Sequence, residues 1–312
     1  MKNNFKYTYN NKRYHTLDYH YKNTFGKKVA KISLNAGFTC PNKDGTKGIG
    51  GCIYCSPSGS GDFAGNPKED ILKQFQDIKK IMDNKWKDTL YIGYFQANSN
   101  TYANVLKLKE LYEPILKQDK VIGLAIATRC DCLDNEVLDY LEELNKRTYL
   151  VVELGLQTIH DKTSKLINRG HTLKEFEEGV SKLRKRGINV VVHIINGLPN
   201  ETEEMMLETA KYLNTLDIQG IKIHMLHIVK NTTLEKIYKV SPFKILTRDE
   251  YIDIVIKQLE LLRDDIVIHR LTGDPDPKEL IEPTWTIKKI DVLNGIDKEM
   301  AKKNTYQGIK SQ

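Results

Sequence analysis

CPNKDGTKGIGGCIYC (residues 40–55) holds three of the chain's five cysteines, at a spacing of C-x11-C-x2-C. Three thiolates are one short of a closed zinc site and one too many for a single disulfide. A [4Fe–4S] cluster normally takes one thiolate per iron, so three would leave one iron open to an external ligand. Cys52 and Cys55, three apart, can reach neighbouring irons from one turn. Gly45, Gly48, Gly50 and Gly51 give the loop the freedom to bring Cys40 to the same place. Zinc stays open as the alternative, with Cys130 and Cys132 completing the site. C-x-C is a poor second knuckle, however, and it lies two strands further along.

Outward from this loop the chain alternates. Residues 29–34 (VAKISL), 89–95, 121–128, 147–155, 188–195 and 218–226 read as apolar, β-branched strands. Residues 68–86, 105–116, 135–146, 172–187, 201–216 and 248–263 carry apolar residues at helical spacing, with Gly187 as a stop signal. Six β–α units with strands apolar on both faces imply a parallel sheet, here a partial (β/α)6 barrel of the α/β class. The expected organisation is an N-terminal extension over 1–28, the barrel over 29–264, and a C-terminal extension over 265–312 packing on it. In such barrels the chemistry sits at the C-terminal ends of the strands. The cysteine loop, FQANSNTY (95–102), TRCDC (128–132), ELGLQT (153–158), HIINGLPNET (193–202) and HMLHIVKNTTL (224–234) all fall there.

The composition narrows the class further. The chain has 312 residues, 40% of them hydrophobic, so it can bury a sizeable core. No apolar run reaches the length of a membrane span, and the polar, basic first residues do not read as a signal peptide. The expectation is a cytoplasmic protein with no membrane partner, whose unevenly spaced cysteines serve metal or chemistry rather than disulfides. Of the net charge of +7, residues 1–28 carry +6 and residues 285–312 carry +3. Phe5, Tyr7, Tyr9, Tyr14, Tyr19, Tyr21 and Phe25 are interleaved with the first group. Cations attract phosphates and rings stack on bases, so these termini, with Lys2, Lys6, Lys12 and Arg13, are candidates for nucleic-acid contact.

Cys40, Cys52 and Cys55, with Tyr54 before the last, resemble the cluster loop of the radical S-adenosylmethionine (SAM) superfamily. The wide spacing resembles the branch that includes the radical domain of the Elongator catalytic subunit. KISLNAGFTCPNKDGTKGIGGCIYC, SGSGDFAG (58–65), YFQANSNTYA (94–103), ELGLQTIHDKTSKLINRGH (153–171), VIHRLTGDP (267–275) and WTIKKIDVLNGIDKEMAKKNTYQG (285–308) together resemble the YtqA/YhcC group of that superfamily. The resemblance implies a [4Fe–4S] cluster on the three cysteines, SAM on its open iron, and hydrogen abstraction by a 5′-deoxyadenosyl radical. It implies cofactor contacts for Tyr54, Gln96, Asn98, Glu153, Gln157, Arg169 and Gly197, the guanidinium of Arg169 matching the SAM carboxylate. Substrate contacts fall to His193, His224, His227 and Lys230. Cys132 fits the group's pattern as a thiol that relays or quenches a radical. Cys130 stands where the group usually has proline and is incidental.

The group is linked to the C5 side chain of tRNA wobble uridine. The resemblance therefore implies conversion of 5-carboxymethylaminomethyl(-2-thio)uridine to the 5-aminomethyl form. Implied partners are tRNA, an electron donor such as flavodoxin or ferredoxin, and a downstream methyltransferase. Fewer than sixty residues follow the sixth unit, so the acetyltransferase domain of the Elongator subunit is not implied. Radical chemistry on a protein or small metabolite, and a zinc-stabilised RNA-binding protein without catalysis, remain the alternatives.

Overall fold

The computed structural model describes residues 3–56, 59, 61 and 64–311. Lys2 and part of the 58–65 motif therefore lie outside the described residues. In chain order the elements are α1 (Leu17–Phe25), β1 (Val29–Leu34), α2 (Ile71–Lys85), β2 (Leu90–Phe95), α3 (Val105–Leu116), β3 (Val121–Thr128) and α4 (Asn135–Arg147). They continue with β4 (Tyr149–Gln157), α5 (Asp161–Leu166), α6 (Leu173–Arg184), β5 (Asn189–Asn196), α7 (Glu203–Leu213), β6 (Gly220–Met225) and β7 (Ile228–Val229). The last are α8 (Thr233–Val240), α9 (Arg248–Leu261), β8 (Val267–Arg270), β9 (Leu280–Glu282) and α10 (Lys289–Lys302).

Seven strands form one sheet in the order β1-β2-β3-β4-β5-β6-β8, with every pairing parallel. The sheet is an open half-barrel ending at β1 and β8. The six expected units are present, and the seventh strand comes from the segment assigned to the C-terminal extension. That segment thus completes the sheet as well as packing on it. Only four residues long, β8 is too short to show a period in sequence. Helices α2, α3, α4, α6, α7 and α9 cover the outer face. Each begins on a side-chain cap from Asp70, Asn104, Asp134, Thr172, Thr202 or Thr247, worth about 1 kcal/mol apiece. No described helix is long and apolar enough to cross a membrane.

Period-two alternation sorts the strand residues. Ile32, Leu34, Leu124, Ile126, Val152, Leu154, Val190, Val192, Ile221 and Ile223 join the helix-covered core. The other face turns inward. Its lower part is apolar: Ile92, Tyr94, Ala125, Val151 and Val191 pack with Tyr21, Leu17 and Phe25 of α1. Helix α1 thereby closes the N-terminal mouth of the barrel and touches both edge strands, β1 and β8.

The first 28 residues, candidates for nucleic-acid contact by charge and aromaticity, pack on the protein itself. Phe5, Tyr14 and Tyr21 are buried, and Tyr7 stacks on His15 with ring centres 4.6 Å apart. The cations have protein partners: Lys6 with Asp264 at 3.0 Å, Lys12 with Asp297 at 2.5 Å, Lys22 with Asp18 at 2.7 Å and Lys27 with Asp88 at 2.8 Å. Arg13 is buried and reaches Asn304 and the carbonyl of Thr305. In the tail, Lys289 pairs with Asp274, Lys303 with Asp253 and Lys310 with Glu260. The segment is a structural plug, at the end opposite the cysteine loop.

Candidate active site

The cysteine loop leaves the C-terminal end of β1 and folds back on itself. Amides of Lys43 and Asp44 donate to the Cys40 carbonyl, and the Cys55 amide donates to that of Cys52. Asn42 fastens the loop: its side chain donates to the carbonyl of Asn168 at 2.6 Å and sits 3.9 Å from the Cys52 sulfur. A Cβ on Gly48 or Gly170 would lie 2.4 Å from the Asn42 oxygen, so these glycines make room for the clasp. Asn168 returns the contact, donating to the Gly51 carbonyl at 2.8 Å. The cysteine loop and the NRGH loop (168–171) are thus one unit. Neither asparagine was marked by the sequence, because the contacts span more than a hundred residues.

Cys40, Cys52 and Cys55 are half-buried and in no disulfide. Burial first, and then the neighbouring Cys55, push the Cys52 thiol up to about 11. Four ligands around one zinc stand about 3.8 Å apart, given Zn–S bonds of about 2.3 Å. Among the described residues, the one set of three metal-ligating groups with all ligand atoms within 4.8 Å is Cys130, Asp131 and His171. The three loop thiols stand apart from that set, and three thiolates suit a cluster with one iron left open. The Cys130 set is itself a poor cation site. Both oxygens of Asp131 are taken by Arg129 at 2.8 Å, and Lys47 adds a third contact at 3.0 Å. Cys130 packs in the core against Gly179, the incidental role expected of it.

Arg169 is 1% exposed. Its Nη1 donates to the carbonyls of Leu156 and Thr158 and its Nε to that of His171, while Nη2 is buried with no partner. No described carboxylate pairs with it. A buried guanidinium with a free N–H and no counter-ion calls for an anion. Gln157, at the tip of β4, has φ 61° and a buried, unpartnered Oε1. Its amide nitrogen folds over Gly155, where a Cβ would come within 2.4 Å of it. His224 and His227 likewise each keep a buried, unpartnered Nε2. Burial holds the His227 imidazole down to about 4, and His224 lower than its ordinary value for the same reason. Both are neutral. These orphaned atoms lie at or just beyond the C-terminal ends of β4 and β6, so the residues present fit a bound cofactor and substrate.

Other expected contacts land differently. β4 runs two residues beyond its expected end, placing Glu153 mid-strand inside the barrel, away from the rim. Its carboxylate meets Lys31 at 2.7 Å, Lys222 at 2.5 Å, His193 at 2.9 Å and the Tyr94 hydroxyl at 2.8 Å. It is fully satisfied by protein, so neither a SAM contact nor a pairing with Arg129 or Arg169 holds. His193 is locked into the same group. Gly197 has φ 82°, but the space where its Cβ would go is filled by Leu246 at 3.2 Å, which removes the argument from close approach of adenine. Lys230 is exposed and held on the carbonyl of Lys278, off the barrel interior. Asn98 turns under Gly59, which supports the segment after the cysteine loop. Gln96 follows β2 half-buried. Tyr54 is half-buried against the patch of Ile53, Ile167, Leu198 and Leu226. Cys132 is buried, its sulfur 3.9 Å from Asp131, and burial pushes the thiol up to about 12, so it keeps its proton. A cavity of about 570 Å³ between α9 and α10 lies in the outer helical layer, away from all of these.

Residues 40–213 match the model of the radical SAM superfamily, and residues 218–302 that of the radical SAM C-terminal domain. YtqA of Bacillus subtilis is 52% identical over 309 residues, covering 99% of this chain and 96% of that protein. YhcC of Escherichia coli is 34% identical over 262 residues, covering 84% of each. The solved structure of the archaeal Elp3 of Methanocaldococcus infernus superposes with a TM-score of 0.69 at 17% identity, over 90% of this chain and 64% of that one. The cofactors of this family are a [4Fe–4S] cluster and SAM, to which Cys40, Cys52, Cys55 and the orphaned Arg169 are suited. The chain belongs to the radical SAM superfamily, in its YtqA/YhcC group.

Proposed function

We propose that this protein acts in the cytoplasm on the C5 side chain of tRNA wobble uridine, converting 5-carboxymethylaminomethyl(-2-thio)uridine to the 5-aminomethyl form. The observation that carries the reading is the gathering of unpartnered buried polar atoms beside three thiols at one mouth of the barrel. On that rim Lys43 and Lys230 hold their ammonium groups on carbonyls, with no carboxylate partner among the described residues. Such cations are free to take RNA phosphates. The paired cations of the N-terminal plug are not.

When bound, the cluster and SAM would supply a 5′-deoxyadenosyl radical to take a hydrogen atom from the carboxymethyl carbon; return of one electron to the cluster and addition of water would release that group as glyoxylate and leave the aminomethyl form. Cys40, Cys52 and Cys55 would hold the cluster, three thiolates leaving room for SAM. Arg169 offers its free N–H to the SAM carboxylate. Gln157, His224 and His227 face the substrate, the two imidazoles as neutral groups. Cys132, a protonated thiol behind Asp131, is placed to give up a hydrogen atom rather than a proton. Flavodoxin or ferredoxin would supply electrons, and a separate methyltransferase would act on the aminomethyl product.

The test compares tRNA nucleosides from cells with and without the gene. The carboxymethylaminomethyl form accumulates in its absence if the proposal holds. An unchanged profile, with 5′-deoxyadenosine still formed by the reconstituted protein, transfers the chemistry to a protein or metabolite substrate.

A further inference from the structure

Inside the half-barrel, below the rim, five strands bring together a group that the mouth residues do not use. Glu153 is the one carboxylate at its centre, with a fully buried side chain. Around it stand Lys31 from β1, Tyr94 from β2, His193 from β5 and Lys222 from β6, with Arg270 of β8 beside Lys222 in register. The donors outnumber the acceptors. Oε2 of Glu153 accepts from Lys222, His193 and Tyr94, and Oε1 from Lys31. Lys222 donates also to the Tyr94 hydroxyl at 3.0 Å. Lys31 has no oxygen acceptor other than Glu153 among the described residues, its ammonium otherwise lying over the Tyr94 ring 5.0 Å from the centroid. Arg270, with five donors, has a single contact of 3.4 Å to Asp274, whose closer partner is Lys289 at 2.7 Å. Three cations thus share one buried carboxylate and part of another at the rim.

We propose that Lys31, Lys222 and Arg270 form a subsite for a substrate carboxylate inside the barrel. The Lys31 and Lys222 side chains, 15% and 9% exposed, lie within the strands, so a slender carboxylate suits them better than a bulky backbone phosphate. A thin substituent ending in a carboxylate can enter, and the planar fork of Arg270 suits such a group. His224 stands above the subsite, its ring 5.4 Å from that of His193. The assignment rests on the substrate reading above, in which the C5 substituent ends in a carboxymethylamino group.

Binding is coupled to a proton. Lys222 faces Lys31, Tyr94, Glu153, His193, His224, His269 and Arg270, with Tyr21 and His20 of α1 beneath. Burial, against the pull of Glu153, and the neighbouring Lys31 and Arg270 bring its ammonium down to about 7. A second carboxylate beside it favours the charged form, so the bound state takes up a proton near pH 7.

The experiment follows Lys222 by NMR in full-length protein carrying 13Cε-labelled lysine, its resonance identified by its loss in Lys222→Arg. The probes are N-methylglycine (the truncated substituent) and anticodon stem–loops carrying either the carboxymethylaminomethyl or the aminomethyl uridine. The carboxylated probes should raise the Lys222 midpoint by about one unit or more, equivalent to about tenfold preference for the charged form. The aminomethyl stem–loop should not, and Arg270→Gln should abolish the shift. No shift with either carboxylated probe overturns the subsite, whether or not the stem–loop binds. A shift with N-methylglycine and no binding of the stem–loops keeps the subsite and overturns the RNA reading instead. A shift of equal size with the aminomethyl stem–loop also overturns it.

Discussion

The two mouths of the half-barrel are built from similar residue types and end in opposite states. At the N-terminal mouth, aromatic rings stack on one another and on strand residues, and lysines sit on carboxylates. At the C-terminal mouth, a guanidinium nitrogen, a glutamine oxygen and two imidazole nitrogens are buried without partners. Burying an unpaired polar group costs about 1–3 kcal/mol, and more when it is charged. A fold keeps several of them in one place when a ligand completes them. Charge and aromaticity in the sequence pointed to the first mouth. Unmet bonding capacity occurs at both, His15 Nδ1 and Tyr21 Oη being unpartnered at the first, but at the second it gathers beside three thiols.

The strongest way to break this contrast is at the thiols. Cys52→Ser should abolish bound iron after anaerobic reconstitution while leaving thermal unfolding of the apo-protein nearly unchanged, read by metal analysis and circular dichroism. Loss of the fold would make the loop structural, like the other mouth. Next comes the interior. Glu153→Gln should destabilise the apo-protein by about 3–5 kcal/mol in denaturant titration, because it strips Lys31 and Lys222 of their shared carboxylate. A stable variant with weakened SAM binding would return Glu153 to the cofactor role.

Acid sharpens the comparison further. Burial holds His15 and His193 down to about 4, and His171 to about 3, against an ordinary value of about 6.5. Between those values the unfolded chain binds protons that the native chain does not. Stability from these groups is therefore complete above about pH 6.5 and declines as pH falls toward 4. The melting temperature of the apo-protein should drop by at least several degrees between about pH 7 and pH 5. A flat profile would mean the imidazoles are solvated. The smallest effect is expected at the plug. Neutralising Lys6 and Lys12 should leave the denaturation midpoint nearly unchanged. It should leave tRNA affinity and its salt dependence as they were. A weaker affinity with a flatter salt slope would restore the N-terminal arm as an RNA contact.

The strand pattern and the cysteine loop were legible because both are local. Apolar alternation in VAKISL marks a strand whatever surrounds it, and the C-x2-C spacing lies within one turn. In that strand Lys31 alternates with the core residues Ala30 and Ile32 and so falls on the inward face. Nothing local says, though, that Lys222 and Glu153, from strands far along the chain, meet it there. Glu153 was read as a rim residue because β4 runs two residues past its apparent end. Lys12 finds Asp297 across 285 positions, so its charge looked free in sequence and is not. Asn42 and Asn168 share that cause: a clasp between two loops leaves no periodic mark on either.

The central claim is that Cys40, Cys52 and Cys55 hold an iron–sulfur cluster with one iron open to SAM. The direct measurement is iron and sulfide content with electron paramagnetic resonance of the reduced, reconstituted protein, before and after SAM is added. The account predicts about four irons and four sulfides per chain and a signal that changes shape on adding SAM. One tightly held zinc per chain, or a cluster signal indifferent to SAM, would contradict it.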